Sequence, residues 1–282
     1  MTNRKLDMGK AWTQATALIG SNRDTIGAIA GLFFFLPSLA LALFAPDLVN
    51  PTVAGPDGAD PQVAFQAMIN QMTQAYADNW PMFLAMTLAQ FIGSMSLLAL
   101  LTDRARPTVR EALTTGFVSL FPYLAAQLLS ALGVALLIGI PLGLVSAAGS
   151  PGATLLVGAV LVAVGFYVFV KFTLIAPVIA IDGIRNPIRA LIRSWQLTKG
   201  NSFRIAAFLL LLFFTIGIIS ALVTGILGLA LSALGSDIAA IGLGVVNAAV
   251  NTGIGVIFLV VIAAIHRQLA GHSPEGLAAT FE

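Results

Sequence analysis

Six apolar stretches, each long enough for a membrane-spanning helix, constrain the fold of this chain more than any motif does. A helix needs about 20 apolar residues to cross the hydrocarbon of a bilayer. The composition agrees, because 58% of the residues are hydrophobic and 9% are charged, whereas soluble domains average about 45–50% and about 25%. We therefore predict an all-α, polytopic membrane protein, with a single integral membrane domain over residues 1–282 and spans at about 25–45, 81–102, 117–148, 153–181, 205–233 and 238–265.

The positive charges alternate between the connections of these spans, and this alternation predicts the orientation. Apart from Lys171, every Lys and Arg lies before the first span, or after the second, fourth or sixth. Because basic loops stay in the cytoplasm, we predict a multi-pass protein of the bacterial inner membrane with both termini cytoplasmic. The basic residues are Arg4, Lys5, Lys10, Arg23, Arg104, Arg106, Arg110, Arg185, Arg189, Arg193, Lys199, Arg204 and Arg267.

Three cytoplasmic segments, at about 4–20, 107–116 and 187–199, have the pattern of helices that lie in the membrane interface. In the last of them, Pro187 suits a first helical turn, and apolar residues recur on one face at Ile188, Leu191, Ile192 and Trp195. Arg185, Arg189 and Arg193 follow its flank, where guanidinium groups can reach lipid phosphate. Either these residues form a plain basic anchor, or Arg185, Arg189, Arg193 and Trp195 bind anionic headgroups or a protein partner selectively.

The same three segments suggest an internal repeat. Ala11, Ala112 and Ala190 each begin a helical stretch, and a Gly or Pro follows nine or ten residues later, near the start of a span. We interpret the chain as three units, each made of one interfacial helix and a helical hairpin. In such a unit, the interfacial helix sets the depth and entry angle of the span that follows.

One run of about 35 residues resembles a known family. The run comprises the stretch from Lys171 to Asp182, followed by Pro187, Ala190, Leu191, Arg193, Ser194, Trp195, Leu197, Thr198, Gly200 and Arg204. It is similar to the bacterial inner-membrane family known as the membrane domain of glycerophosphoryl diester phosphodiesterases, which includes YciC-like proteins. The resemblance implies an envelope protein with a role near lipid handling. It implies no enzymatic activity, because in two-part members of the family the chemistry belongs to a separate soluble barrel.

Enzymatic, metal and cofactor sites are not expected from the polar residues. The two histidines, His266 and His272, follow the last span and are interpreted as polar tail residues. Glu275 and Glu282 lie in the same tail and Glu111 in a basic segment, so no pair of buried carboxylates is predicted for acid–base catalysis. The chain has no Cys, which excludes disulfides and thiolate ligands.

Polar residues within the spans are the candidates for transport, because such residues are costly in lipid and often functional. Lys171 lies eleven residues before Asp182. Its ammonium either reaches the headgroups by snorkelling, forms a structural ion pair, or lines a ligand or ion pathway. Asn247 and Asn251 share a face of the sixth span, and Gln127 and Ser130 of the third span are placed to meet them. Interhelical hydrogen bonding and a substrate site both fit this set.

The segment 46–79 is the one sizeable connection on the outer side. Its apolar residues Ala64, Phe65, Met68, Ile69 and Met72 repeat at helical spacing. We predict a short helix on the outer surface, either as a cap over the hairpin or as a lid or partner-docking element.

These observations favour a non-enzymatic factor that organises lipid or other envelope proteins. Its expected partners are membrane lipids with anionic headgroups at the cytoplasmic face, and a net charge of +2 gives no reason to expect nucleic acid. A transporter or channel component for a small solute or ion is the alternative. An enzyme acting on lipid is the third hypothesis, for which the sequence offers no catalytic groups.

Overall fold

The computed structural model of the chain describes residues 5–44, 61–102 and 108–271, and these residues form helices joined by short turns, without a strand. Six of the described helices are long and apolar enough to cross a membrane, which confirms the all-helical, six-span class. They are Met8–Phe44, Trp80–Leu100, Val109–Ala147, Pro151–Ala180, Ser202–Ser232 and Ile238–Ala270. The predictions for Arg4, residues 46–60, Arg104, Arg106, Pro107, His272, Glu275 and Glu282 concern residues outside the described ranges.

The first candidate span contains two local distortions. Helix α1 (Met8–Ala30) is kinked at Asn22, whose backbone leaves helical geometry at φ −128° and ψ 18°. A π-helical turn over Gly31–Phe35 joins α1 to α2 (Leu36–Phe44). Pro37 explains the wide turn, because it has no backbone N–H to donate and its ring would clash with the carbonyl of Phe33. The predicted interfacial helix at 4–20 is therefore continuous with the first span through a kink.

The segment before the second span also forms a helix. Helix α3 (Pro61–Asp78) covers the apolar repeat that suggested a surface helix, and α4 (Trp80–Leu100) follows after Asn79. The rings of Tyr76 and Phe83 lie 4.3 Å apart and connect the two helices.

The third span is one helix of 39 residues, α5 (Val109–Ala147). Thr108 and Glu111 form a reciprocal cap at its start: the Thr108 amide donates to Glu111 Oε2 (2.8 Å) and the Glu111 amide donates to Thr108 Oγ1 (3.3 Å). The predicted interfacial helix at 107–116 is not separate, because α5 continues through Gly116 and Pro122 without a break. At 1.5 Å per residue, α5 is about 58 Å long and exceeds the hydrocarbon thickness.

The fourth span is broken near its end. Helix α6 (Pro151–Phe172) and the short helix α7 (Ile175–Ala180) are separated by a turn at Thr173 and Leu174. Pro177 accounts for the break, because it has no N–H to donate to Thr173 and its ring would clash with that carbonyl. The break leaves carbonyl groups in the last turn of α6 without their usual helical donors.

The remaining helices are α8 (Pro187–Thr198), α9 (Ser202–Ser232) and α10 (Ser236–Ala270). Helix α8 is the only one of the three predicted interfacial segments that forms a helix of its own among the described residues. The arrangement into three equivalent units is therefore not confirmed, since the first segment continues through a kink and the second continues without interruption.

The packed core lies at one end of the helix bundle. Buried residues occur in α5 from Ala112 to Ala126 and in α9 from Ile205 to Leu212, and none lie further along either helix. The second half of α4 and the end of α10 are buried as well. The far halves of α5 and α9 and the first half of α6 expose large aliphatic side chains, as lipid-facing surfaces do; examples are Leu136, Leu156, Leu222 and Leu229.

Polar contacts join the helix ends at the packed end. The Leu6 amide donates to Asn201 Oδ1 (2.9 Å), and the Asp7 amide donates to Gln268 Oε1 (3.2 Å). Arg267 donates to the carbonyl of Leu101, at the end of α4. We call this the basic end, defined by the N-terminal segment before α1, Leu101, Asp182, α8, the start of α9 and residues 265–268.

Candidate functional site

Helix α8 is held against the bundle by its start and by a face of small residues. Pro187 occupies the first turn, and Asn186 Oδ1 accepts a hydrogen bond from the Arg189 amide (3.0 Å), which caps the helix. Ala190, Ser194 and Thr198 recur at every fourth residue and are fully buried. Four-residue spacing places them on one face, so this face packs against protein.

The break in the fourth span provides the acceptor that positions α8. Ser194 Oγ donates to the carbonyl of Lys171 (2.7 Å), one of the groups that the end of α6 leaves without a helical donor. This buried bond fixes the register of α8 along α6. Pro177 therefore positions α8 indirectly: it breaks the fourth span, and the carbonyl left free at the break accepts the hydrogen bond from α8.

The outward surface of α8 is divided into an apolar and a basic part. Ile188, Ile192 and Trp195 are exposed and lie on one face at i, i+4 and i+7. Arg185 and Arg189 are exposed next to that face. Leu191, which was predicted on the exposed apolar face, instead packs partly against the core. An exposed apolar strip beside basic residues is the arrangement of a helix that lies in the headgroup region.

Arg193 differs from the other two arginines. Its Nε lies 3.7 Å from Asp182 Oδ2, and its side chain is about one-third exposed. The same carboxylate oxygen lies 3.2 Å from Nε2 of His266. Arg193 is therefore engaged within the protein, and Arg185 and Arg189 remain as the exposed basic residues of this surface.

His266 is fully buried, so its interpretation as a polar tail residue is wrong. Helix α10 continues to Ala270, and α7 places Asp182 beside it. The signal in the sequence was weak, because it required knowing that the ends of the fourth and sixth spans meet.

Lys171 is buried next to α8, with a side chain only 2% exposed. Its Nζ lies 5.3 Å from the ring centre of Tyr167 and 5.2 Å from that of Trp195. The two rings pack edge to face with centroids 6.1 Å apart, and Phe172 lies against Trp195 at 5.8 Å. A cation over an aromatic face is attracted by the ring quadrupole, by about 0.5–2 kcal/mol per ring. Tyr167 and Trp195 thus hold the ammonium.

A cavity of about 500 Å³ lies beside Lys171, between α6 and the start of α9. Gly200 has a left-handed backbone conformation (φ 81°), which allows the turn between α8 and α9. This turn forms part of the cavity wall. The cavity is lined by Phe166, Tyr167, Val170 and Lys171 of α6, and by Lys199, Gly200, Ser202, Phe203 and Ala206. It combines two ammonium groups with an apolar and aromatic wall.

The other predicted polar residues lie elsewhere. Gln127 Nε2 donates to Tyr123 Oη (2.7 Å), and Ser130 Oγ donates to the Gln127 carbonyl (2.9 Å), so this set is connected within α5. Asn247 is half-buried and Asn251 exposed on α10. Within the described part of the chain, no hydrogen bond joins either asparagine to Gln127.

The set on α5 faces a second cavity of about 390 Å³, between α5, the broken fourth span and α10. Thr173 and Ile175, on either side of the break, form part of its wall. Thr173 Oγ1 donates back to the Phe169 carbonyl (3.0 Å). The cavity is largely apolar; Gln127 contributes an amide, and Tyr123, Ser130 and Thr173 contribute hydroxyl groups.

Comparison with known proteins gives no relative for this chain: no protein-family model, no curated protein and no solved structure matches it.

Proposed function

We propose that this chain is a non-enzymatic protein of the bacterial inner membrane that binds anionic phospholipid at its cytoplasmic face and so organises lipid or neighbouring envelope proteins. The observation that carries the proposal is the surface of α8. Its small-residue face is buried on the bundle, while Ile188, Ile192 and Trp195 on the adjacent face are exposed beside Arg185 and Arg189. A helix packed in this way places its apolar side chains among the lipid chains and its guanidinium groups next to lipid phosphates.

The orientation belongs to the same proposal. The predicted cytoplasmic connections supply the residues that meet at the basic end, including Asn201, Arg204 and Arg267. Basic residues next to spans are retained in the cytoplasm. Both termini and α8 therefore lie at the cytoplasmic leaflet, where anionic lipids are attracted by about 1 kcal/mol per basic residue.

We also retain, as proposals, the family resemblance and the plan of three repeated units. The run from Lys171 to Arg204 that carries the resemblance builds the end of α6, α7, α8 and the first turn of α9. Its Lys171, Ser194, Trp195 and Gly200 take part in the seating of α8 or in the adjacent cavity. The simplest explanation of the resemblance is that the residues of this run have the same structural role in the family and in this chain.

The test is lipid binding by the purified chain with Arg185 and Arg189 both replaced by Gln. Binding of phosphatidylglycerol, measured by native mass spectrometry in detergent, should weaken about fivefold for each arginine removed. The matched control is Arg23→Gln, because Arg23 is basic but pairs with Asp24 away from α8. Unchanged phosphatidylglycerol binding by the folded double variant would remove the basis of the proposal.

A transporter or channel component is the second candidate, and the cavity beside Gln127 favours it. Polar groups are costly within a membrane, so those that face a cavity between helices often belong to a solute pathway. Gln127→Leu should then abolish flux of a solute in proteoliposomes while the protein stays folded, and Asn251→Leu, on the exposed side of α10, should have little effect. Absence of solute-dependent flux or stabilisation across a broad panel would retire this candidate.

A further inference from the structure

Two lysines face the cavity between α6 and α9. Lys171 and Lys199 both line it. Among the described residues, neither ammonium has a carboxylate within ion-pair distance. Lys171 is nearly fully buried, whereas Lys199 is exposed at the edge. An unpaired charge in a buried position is costly, and an anion in the cavity would offset that cost.

The aromatic rings hold Lys171 without satisfying its hydrogen-bonding groups. An ammonium has three donors, whereas the rings of Tyr167 and Trp195 offer only the attraction of their faces. Phosphate oxygens are strong acceptors for such a group, with charge-assisted hydrogen bonds about twice as strong as neutral ones. The cavity therefore offers a preorganised cation to an anionic oxygen.

The start of α9 adds to the positive potential of the cavity. Asn201 precedes the helix, but its side chain makes no cap, because Oδ1 accepts from the Leu6 amide. Ser202 Oγ donates to the Thr198 carbonyl (3.0 Å). The first-turn amides of this 31-residue helix thus lack a side-chain cap beside the cavity, and helix N-termini favour anions.

The apolar wall distinguishes a lipid from a soluble anion. Phe203 is 86% exposed at the mouth of the cavity, and Phe166 is also exposed on the opposite wall. Trp195, which contacts Lys171, belongs to the exposed apolar face of α8 that is placed at headgroup depth. A soluble phosphate would leave these rings unused, whereas an acyl chain would cover them.

We infer that the cavity between α6 and α9 binds one anionic phospholipid, with its phosphate between the ammonium groups of Lys171 and Lys199 and its acyl chains passing over Phe203. The site rests on the proposed function, the binding of anionic phospholipid at the cytoplasmic face, and deepens it by naming one position at which a lipid is held. It adds a single, saturable position to a surface that otherwise attracts lipid through its charge.

The experiment compares phosphatidylglycerol binding by Lys171→Met, Lys171→Arg and Lys199→Gln with binding by the parent chain, using native mass spectrometry of the full-length protein in detergent. Lys171→Met keeps a stem of similar length and removes the charge, so the tightest phosphatidylglycerol site should weaken about tenfold. Lys199→Gln should weaken it severalfold, and Lys171→Arg should retain it, because a guanidinium also stacks on aromatic rings. Thermal unfolding establishes that each variant is folded. If Lys171→Met does not fold, the exposed Lys199→Gln decides the question.

Two further ligands identify the occupant. Phosphatidylcholine with the same acyl chains should bind more weakly than phosphatidylglycerol, and millimolar inorganic phosphate should not displace the bound lipid. Displacement by phosphate alone would overturn the lipid assignment in favour of a soluble anion. Equal binding of the two lipids would overturn the role of the two ammonium groups.

Comparison with the variant lacking Arg185 and Arg189 separates this site from the proposed function. If that variant loses phosphatidylglycerol and the folded Lys171→Met and Lys199→Gln variants do not, the cavity is not the lipid site, while the function proposed for α8 stands. If the lysine variants alone lose it, the cavity site stands and α8 is a plain anchor. If neither set affects binding, both proposals are wrong.

Discussion

Nε2 of His266, near the end of α10, lies 3.2 Å from Oδ2 of Asp182, which follows α7. The histidine side chain is fully buried, and the aspartate is 11% exposed. Arg193 of α8 approaches the same carboxylate oxygen at 3.7 Å. One carboxylate therefore connects the fourth span, the sixth span and the helix that we propose to contact lipid.

Asp182→Asn should destabilise the protein substantially. The substitution removes the negative charge that pairs with Arg193 and lies next to Nε2 of His266, and removing one partner of a largely buried ion pair costs about 3 kcal/mol. Equilibrium unfolding in mixed micelles measures the change in the free energy of unfolding.

The control for this variant is Asp24→Asn. Asp24 lies 3.7 Å from Arg23, the same distance as in the Arg193 pair, but both side chains are largely exposed. Exposed ion pairs contribute little, so no measurable loss is expected. Equal stability of the two variants would contradict a structural role for Asp182.

Gly116→Ala should disrupt the contact between α4 and α5. A Cβ at position 116 would overlap Oγ of Ser96 and lie 2.9 Å from the Ile92 carbonyl. Ser96 is buried and donates to that same carbonyl (2.7 Å), so it has no room to move. Overpacking of this kind costs about 1–3 kcal/mol, which the same unfolding measurement would detect.

Gly133→Ala, in the same helix, is the matched comparison. Apart from its two chain neighbours and the backbone of its own helix, no atom lies within 4 Å of the Cβ that the substitution would introduce. Ala favours a helix over Gly by up to about 1 kcal/mol. The stability should be unchanged or slightly higher. A loss equal to that of Gly116→Ala would show that both effects arise from the helix itself and not from the contact.

Asn201→Leu should release the N-terminal segment from the start of α9. Asn201 is buried, and its Oδ1 accepts from the Leu6 amide, which would lose its acceptor. Hydrogen exchange of the peptide containing residues 5–10 should therefore become faster by at least about fivefold.

Asn79→Ala serves as the control for exchange, because the Asn79 side chain donates to Ala75 within its own segment. It should leave exchange at residues 5–10 unchanged. Unaltered exchange there in Asn201→Leu would mean that other contacts, such as the one between Arg204 and the Leu6 carbonyl, are sufficient.

Single cysteines introduced into this chain, which has none, report the orientation of the spans. A membrane-impermeant maleimide should label Ser150→Cys and Leu234→Cys in intact cells, because these exposed positions follow the third and fifth spans. Arg189→Cys should be labelled only after the membrane is permeabilised. Labelling of Arg189→Cys in intact cells would invert the proposed topology.

The positions of the spans could be predicted from the sequence because hydrophobic length is a local property. Each of the six runs overlaps one long apolar helix of the structure, although five of the runs end one or two residues beyond the last residue of the helix. The joins between elements were harder to predict. Residues 107–116 were predicted to form a separate interfacial helix, but α5 continues from Val109 through Gly116 and Pro122, although these two residues have the lowest helix propensities.

The candidate site was only partly predictable, because it depends on contacts between distant segments. Arg185, Arg189 and Trp195 were identified from the periodicity of α8, which is local. The position of Lys171 between two rings depends on the break before Pro177 and on the hydrogen bond from Ser194 to the Lys171 carbonyl. The proline is visible in the sequence, but the sequence does not show that α8 packs at the break. His266 was misread for the same reason, since its partner Asp182 lies 84 positions earlier in the chain.

The concentration of the core at the basic end gives the two ends of the bundle different mechanical properties. Leu136, Leu156 and Leu222 in the far halves of their helices have few protein neighbours to displace. A thicker or thinner bilayer should therefore be accommodated by changing the tilt of those halves, at a modest cost per ångström. The contacts around Asp182 would persist through that adjustment, so the surface that we propose to bind lipid would keep its geometry while the rest of the molecule adapts to the bilayer.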